Sequence, residues 1–84
     1  MIEHEVMYIL EYQNDGVWWQ FTQSASLPTL EYYVQNRLVK SRPEEMADLL
    51  DNPKRLVMRQ RMTTVLQIPM SKTLETILDT EKEE

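Results

Sequence analysis

Eighty-four residues carrying 9 lysines and arginines against 14 aspartates and glutamates have a net charge of −5, which leaves too little chain for two buried cores and disfavours nonspecific binding to polyanions. Hydrophobic residues at 42% and charged residues at 27% argue against wholesale disorder, and no run approaches the roughly 18 apolar residues of a membrane-spanning helix. The chain has no cysteine, which removes disulfides, thiolate metal sites and thiol nucleophiles.

The expectation is therefore one small domain over residues 1–84, in a reducing compartment with the cytoplasm as default. Met1 to Glu5 lacks the basic start and apolar run of a secretory leader. A core of this size is marginal, because conformational entropy nearly cancels the gain from burial, and self-association would supply more buried surface.

From Glu5 to Gln13 the residues alternate as in a strand, with Val6, Tyr8, Leu10 and Tyr12 on one face and Met7 and Ile9 on the other. Asn14, Asp15 and Gly16 interrupt it, and Gly16, the single glycine, suits the left-handed position of a three-residue hairpin loop with a bulge. The returning strand, Val17 to Gln23, places Val17, Trp19 and Phe21 on one face and Trp18, Gln20 and Thr22 on the other. Ser26 is placed to cap a helix with Pro28 in its first turn and Leu27, Leu30, Val34 and Leu38 as its apolar stripe. Ser41, Arg42, Pro43 and Glu44 match a Ser-x-x-Glu capping box opening a second, shorter helix whose apolar side is Met46, Ala47, Leu49 and Leu50, stopped by Asp51, Asn52 and Pro53.

Arg55 to Ile68 forms the longest strand-like run, in which Leu56, Met58, Met62, Leu66 and Ile68 alternate with Arg55, Val57, Arg59, Arg61, Thr63 and Val65. It reads as strand three, and its length leaves open a bend near Thr63 and Thr64 or a share in two pairings. After Pro69, Ser71 is placed to cap a helix carrying Leu74, Ile77 and Leu78, before an acidic tail over 79–84 that is expected to fray. The order is β-β-α-α-β-α, an α+β fold with a three-stranded antiparallel sheet and helices packed on one face.

Catalytic chemistry finds little material. His4 is the single histidine and sits near the terminus between two glutamates, so a base or ligand pair involving a second histidine is excluded. One glycine rules out glycine-rich phosphate loops. Ser24, Ser26, Ser41 and Ser71 have no histidine partner and read as loop or cap residues. Glu44, Glu45, Asp48 and Asp51 lie where helix dipoles and turns place acids. The expectation is no catalytic residue, no metal, no cofactor, no membrane and no small-molecule substrate.

Two patterns stand out. Trp18 and Trp19 are neighbours on a strand and point to opposite faces, so a sheet buried on one side turns one of them outward; Trp18, beside Gln20 and Thr22, is the expected outward one, either covered by a terminal helix or a long side chain or left as a contact anchor. Arg55, Arg59 and Arg61 project from one face of strand three, and arginines beside aromatics such as Trp18 and Tyr12 are a surface on which single-stranded nucleic acid stacks. The bland reading of the same stripe is a solvent-facing strand whose arginines pair with Glu11 across the sheet. The six methionines read as gap fillers, with Met58 and Met62 toward the core.

The hairpin around Trp18 and Trp19, the Ser26-Leu27 helix start, and Arg55-Leu56-Val57 running into Thr63-Thr64-Val65 together resemble small accessory proteins encoded by bacteriophages, over residues 6 to 66. The resemblance implies a hairpin, a helix and a closing strand, and a noncatalytic role in binding a host protein or in self-association. The chain departs from that pattern in its broken helical region at Ser41 to Pro43 and in Tyr32 and Tyr33, where such helices tend to carry alanine. The expected function is a protein-interaction module with a protein partner or a second copy, presenting its outer sheet face or an edge strand. The alternatives are a nucleic-acid contact through the arginine stripe, and an acidic inhibitor that occupies a basic groove through Asp48, Asp51, Asp79 and the tail.

Overall fold

The computed structural model describes residues 6–60 and 64–82. Val6–Asn14 (β1) and Val17–Ser24 (β2) pair antiparallel around a two-residue turn, with Asn14 opposite Val17. Asp15 at φ 57° and Gly16 at φ 77° both adopt positive φ, the pattern of a type I′ turn, whose twist matches that of the flanking strands. The expected three-residue loop is thus shorter by one residue, because aspartate tolerates the left-handed region well enough to serve as the first turn residue.

The bulge lies elsewhere. Between Leu10 and Glu11 the register shifts, so that Gln20 faces Glu11 while Thr22 faces Leu10, and Phe21 is the extra residue. That insertion reverses the parity of β2: Thr22 joins the side of Leu10 and does not share a face with Trp18, as simple alternation predicts.

The run from Arg55 to Ile68 is two strands. Lys54–Gln60 (β3) and Thr64–Ile68 (β4) pair antiparallel, Gln60 opposite Thr64 and Leu56 opposite Ile68. The sheet therefore has four strands in the order β2-β1-β3-β4, and the expected three-stranded order is corrected. The sequence hides this hairpin for a geometric reason. Even-numbered residues of β3 pair with even-numbered residues of β4, so the alternation continues across the connection in unbroken phase, and no glycine, proline, asparagine or aspartate punctuates it. Arg61, Met62 and Thr63 lie outside the described residues.

The helices Leu27–Lys40 (α1), Pro43–Asp51 (α2) and Lys72–Lys82 (α3) lie on one face of the sheet. α1 packs on β1 and β2, α2 on β1, and α3 against the other two helices. Between the layers Leu10 and Leu56 meet Leu30, Val34 and Leu38 of α1, Met46 and Leu49 of α2, and Leu74 and Leu78 of α3. The stripes that define each helix in the sequence are thus the surfaces it buries.

Helix ends use several devices. Ser26 occupies the N-cap of α1 in extended conformation, and its carbonyl accepts from the Leu30 N–H at 2.9 Å, yet its side chain makes no capping bond. Ser41 is the C-cap of α1, in extended conformation, and α2 begins at Pro43, two residues on, with proline in its first turn as the sequence suggests. The last carbonyls of α2 are closed by Lys54, whose Nζ donates to Leu49 O at 3.1 Å, Leu50 O at 3.2 Å and Asn52 O at 3.0 Å. Ser71 caps α3 as its sequence position suggests, accepting from the Leu74 N–H at 3.2 Å, and its hydroxyl donates to Glu31 Oε2 of α1 at 2.8 Å. α3 runs to Lys82, through most of the segment assigned to a tail. No described helix is long and apolar enough to cross a membrane.

Candidate interaction surface

Registers decide which residues share the face away from the helices. Glu11 pairs with Arg55 and with Gln20, Ile9 with Val57 and Gln23, Gln13 with Trp18, and Met7 with Arg59, which in turn pairs with Val65. Strand alternation then puts Trp18, Glu11, Arg55, Arg59, Met7 and Val65 together on this open side.

At its centre the chemistry is already self-satisfied. Arg55 Nε donates to Glu11 Oε1 at 2.7 Å, and the Arg55 guanidinium lies 4.1 Å from the centroid of the Trp18 ring. The two ionic side chains are only 28% and 18% exposed, and Trp18 is half-buried. One arginine thus ties β3 to β1 by a charge-assisted hydrogen bond and to β2 by cation–π stacking. Beside them Ile9 and Val57 form a cross-strand pair that is 5% and 2% exposed although it lies outside the core under the helices. Its neighbours along β1 and β3, Met7, Glu11, Arg55 and Arg59, are each only partly exposed, as long side chains beside an apolar pair are when their stems shield it.

Of the residues singled out in the sequence, Trp18 and Arg55 are in contact and Arg59 shares their face. Tyr12 does not join them. It faces the helices, packs against the core and pairs with Trp19, because it follows Leu10 by two positions on the buried side of β1. Arg61 is outside the described residues, as is His4. Trp18 points to the open side as expected, and the long side chain of Arg55 lies over it, in line with the covered alternative; what the sequence did not indicate is that Trp19 is the accessible one, at 51%. Trp19 points toward the helix side by its pairing with Tyr12, yet it stands at the sheet's margin, where the helical layer leaves it exposed.

β2 is the edge strand on that side. It is eight residues long, Val-Trp-Trp-Gln-Phe-Thr-Gln-Ser, and contains no charged residue and no proline, so it lacks the devices that usually protect a sheet edge apart from its bulge. Val17 is 50% exposed. The opposite edge, β4, is shorter at five residues and is followed by Pro69. Next to β2 a cleft of about 180 Å³ opens among Tyr12, Phe21, Arg37, Met46 and Leu49, with Asp48 also in its lining. The Arg37 guanidinium sits 5.0 Å from the Phe21 ring centroid. Among the described residues no three histidine, aspartate or glutamate side chains gather as metal ligands would.

Sequence reasoning located both tryptophans but not which one remains open. The uncharged run Val17–Ser24 in a chain with 27% charged residues marks the strand that carries both tryptophans, and its meaning depends on β2 being an edge. No protein-family model, curated protein or solved structure matches the chain.

Proposed function

We propose that this protein is a noncatalytic interaction module, an accessory protein of phage or prophage type acting in the cytoplasm, which engages another protein through the edge of β2. The observation that carries the reading is Trp19, half exposed beside Val17 on an uncharged edge strand. Tryptophan is the residue type most enriched among binding hot spots, and an edge with no further strand beside it among the described residues offers main-chain hydrogen bonds to an incoming strand. The arginine face supports a nucleic-acid role less well, since Arg55 is already engaged by Glu11 and Trp18.

The reading is tested by quantitative capture from an extract of the source cells with the immobilised full chain. Trp19→Lys is expected to lower retention of the specific partner by about tenfold or more, in keeping with the loss of one hot-spot aromatic, while Arg59→Ala leaves it within about twofold. Undiminished capture by Trp19→Lys, or binding that falls steeply with salt and requires Arg59, would refute the β2-edge reading.

A further inference from the structure

The geometry of β2 points to a specific occupant, a second copy of this chain, and the inference rests on the reading of β2 as the interaction edge. In a two-residue hairpin the closing pair, here Asn14 and Val17, is hydrogen-bonded, and bonded and non-bonded pairs alternate from there. Val17 and Trp19 therefore turn their N–H and C=O groups inward to β1, while Trp18 and Gln20 turn theirs outward from the sheet. A partner strand must bond to Trp18 and Gln20.

We propose that two copies join antiparallel along β2 about a two-fold axis passing beside Trp19, uniting their sheets into one with four strands from each copy. In this register Trp18 of one copy pairs with Gln20 of the other, and Gln20 with Trp18, each exchanging two main-chain hydrogen bonds. Trp19 then faces Trp19 in a non-hydrogen-bonded pair, the kind in which cross-strand side chains approach most closely. Val17 of each copy faces Phe21 of the other. An axis perpendicular to the sheet keeps both helical layers on the same side, so Val17, Trp19 and Phe21 from the two copies form one continuous apolar band at the helix-side margin.

The match is self-complementary, as a two-fold contact requires. The half-exposed Val17 and Trp19 are the residues it covers, and the bulge at Phe21 and Thr22 marks where straight pairing ends. Charge favours the same place. Two chains of net charge −5 repel, and β2 offers eight residues without a charge, so contact there places no like charges opposite one another. β4 is also uncharged but is only five residues long and has no aromatic to anchor a contact.

A strand-edge contact of this length is small compared with stable dimer interfaces, and the expected outcome of sedimentation equilibrium is a reversible dimer with a dissociation constant of roughly 10–500 µM. Gln20→Pro removes an N–H that the monomer turns outward and leaves the fold intact, since proline is tolerated on an edge strand at such a position. Gln20→Pro and Trp19→Lys are each expected to raise the dissociation constant by about tenfold or more, with circular dichroism and unfolding midpoint confirming the fold. Register is read separately: in a chain without cysteine, Trp19→Cys should oxidise to a disulfide-linked dimer well ahead of Val17→Cys, because residue 19 alone faces itself. A strictly monomeric parent at about 1 mM, a dimer indifferent to both β2 substitutions, or equal cross-linking at positions 17 and 19 would overturn the proposal. A monomeric parent that still captures a different protein through Trp19 would overturn self-pairing and leave the proposed function standing.

Discussion

Replacing Arg55 tests the polar contact that ties β3 to both β1 and β2 on the open face. Its guanidinium donates to Glu11 and stacks on Trp18. A charge-assisted hydrogen bond contributes about 1.5–3 kcal/mol when well buried; at side-chain exposures of 28% and 18% solvent screening lowers that to about 1 kcal/mol. The stacking adds about 0.5–1 kcal/mol. Arg55→Ala is therefore expected to destabilise by about 1.5–2 kcal/mol in urea denaturation, a fall in midpoint temperature of roughly 6–16 °C for a domain of this size.

The decisive measurement is a double-mutant cycle with Glu11→Gln and Arg55→Met. Its coupling should be about 1 kcal/mol and should survive in 0.5 M salt to more than about half, because a partly buried pair is weakly screened. Coupling below about 0.3 kcal/mol, or its abolition by salt, would show the pair to be an ordinary exposed one and would refute the account of the open face as a second, covered centre.

Two further outcomes concern the ends of helices. Lys54→Met removes the donor to three carbonyls at the end of α2 and should cost about 1–2 kcal/mol, with faster amide exchange across α2 than across α1; a uniform change across the protein would count against a local cap. Ser71→Ala should cost about 1 kcal/mol through the lost N-cap of α3, whereas Glu31→Gln should cost less than half as much because the amide oxygen still accepts from the Ser71 hydroxyl. Equal losses in denaturant melts would place the energy in the Glu31 contact instead of the cap.

Much of the fold is legible residue by residue. The aspartate and glycine of the first turn, the prolines that open α1 and α2, the stripes Leu30-Val34-Leu38 and Leu74-Leu78, and the alternation of β1 are local signals, and each element they imply is present. The β3–β4 hairpin escaped because its even pairing keeps the alternation in phase, so a turn leaves no trace in the period. Thr22 falls on the other face from the one alternation implies because a bulge adds one residue to β2, and its place shows only in the pairing with β1.

The candidate surface was legible to a lesser degree. The sequence alone determined that Trp18 and Trp19 point to opposite faces and that Arg55 and Arg59 share one, since these follow from the two-residue period of an extended chain. Tertiary structure decided the rest: that Arg55 closes over Trp18, that Tyr12 belongs to the core, and that Trp19 stands exposed on an edge. The physical reason is that alternation specifies direction, whereas exposure depends on strand order and on how far the helical layer extends, and both are set by contacts between residues distant in the chain.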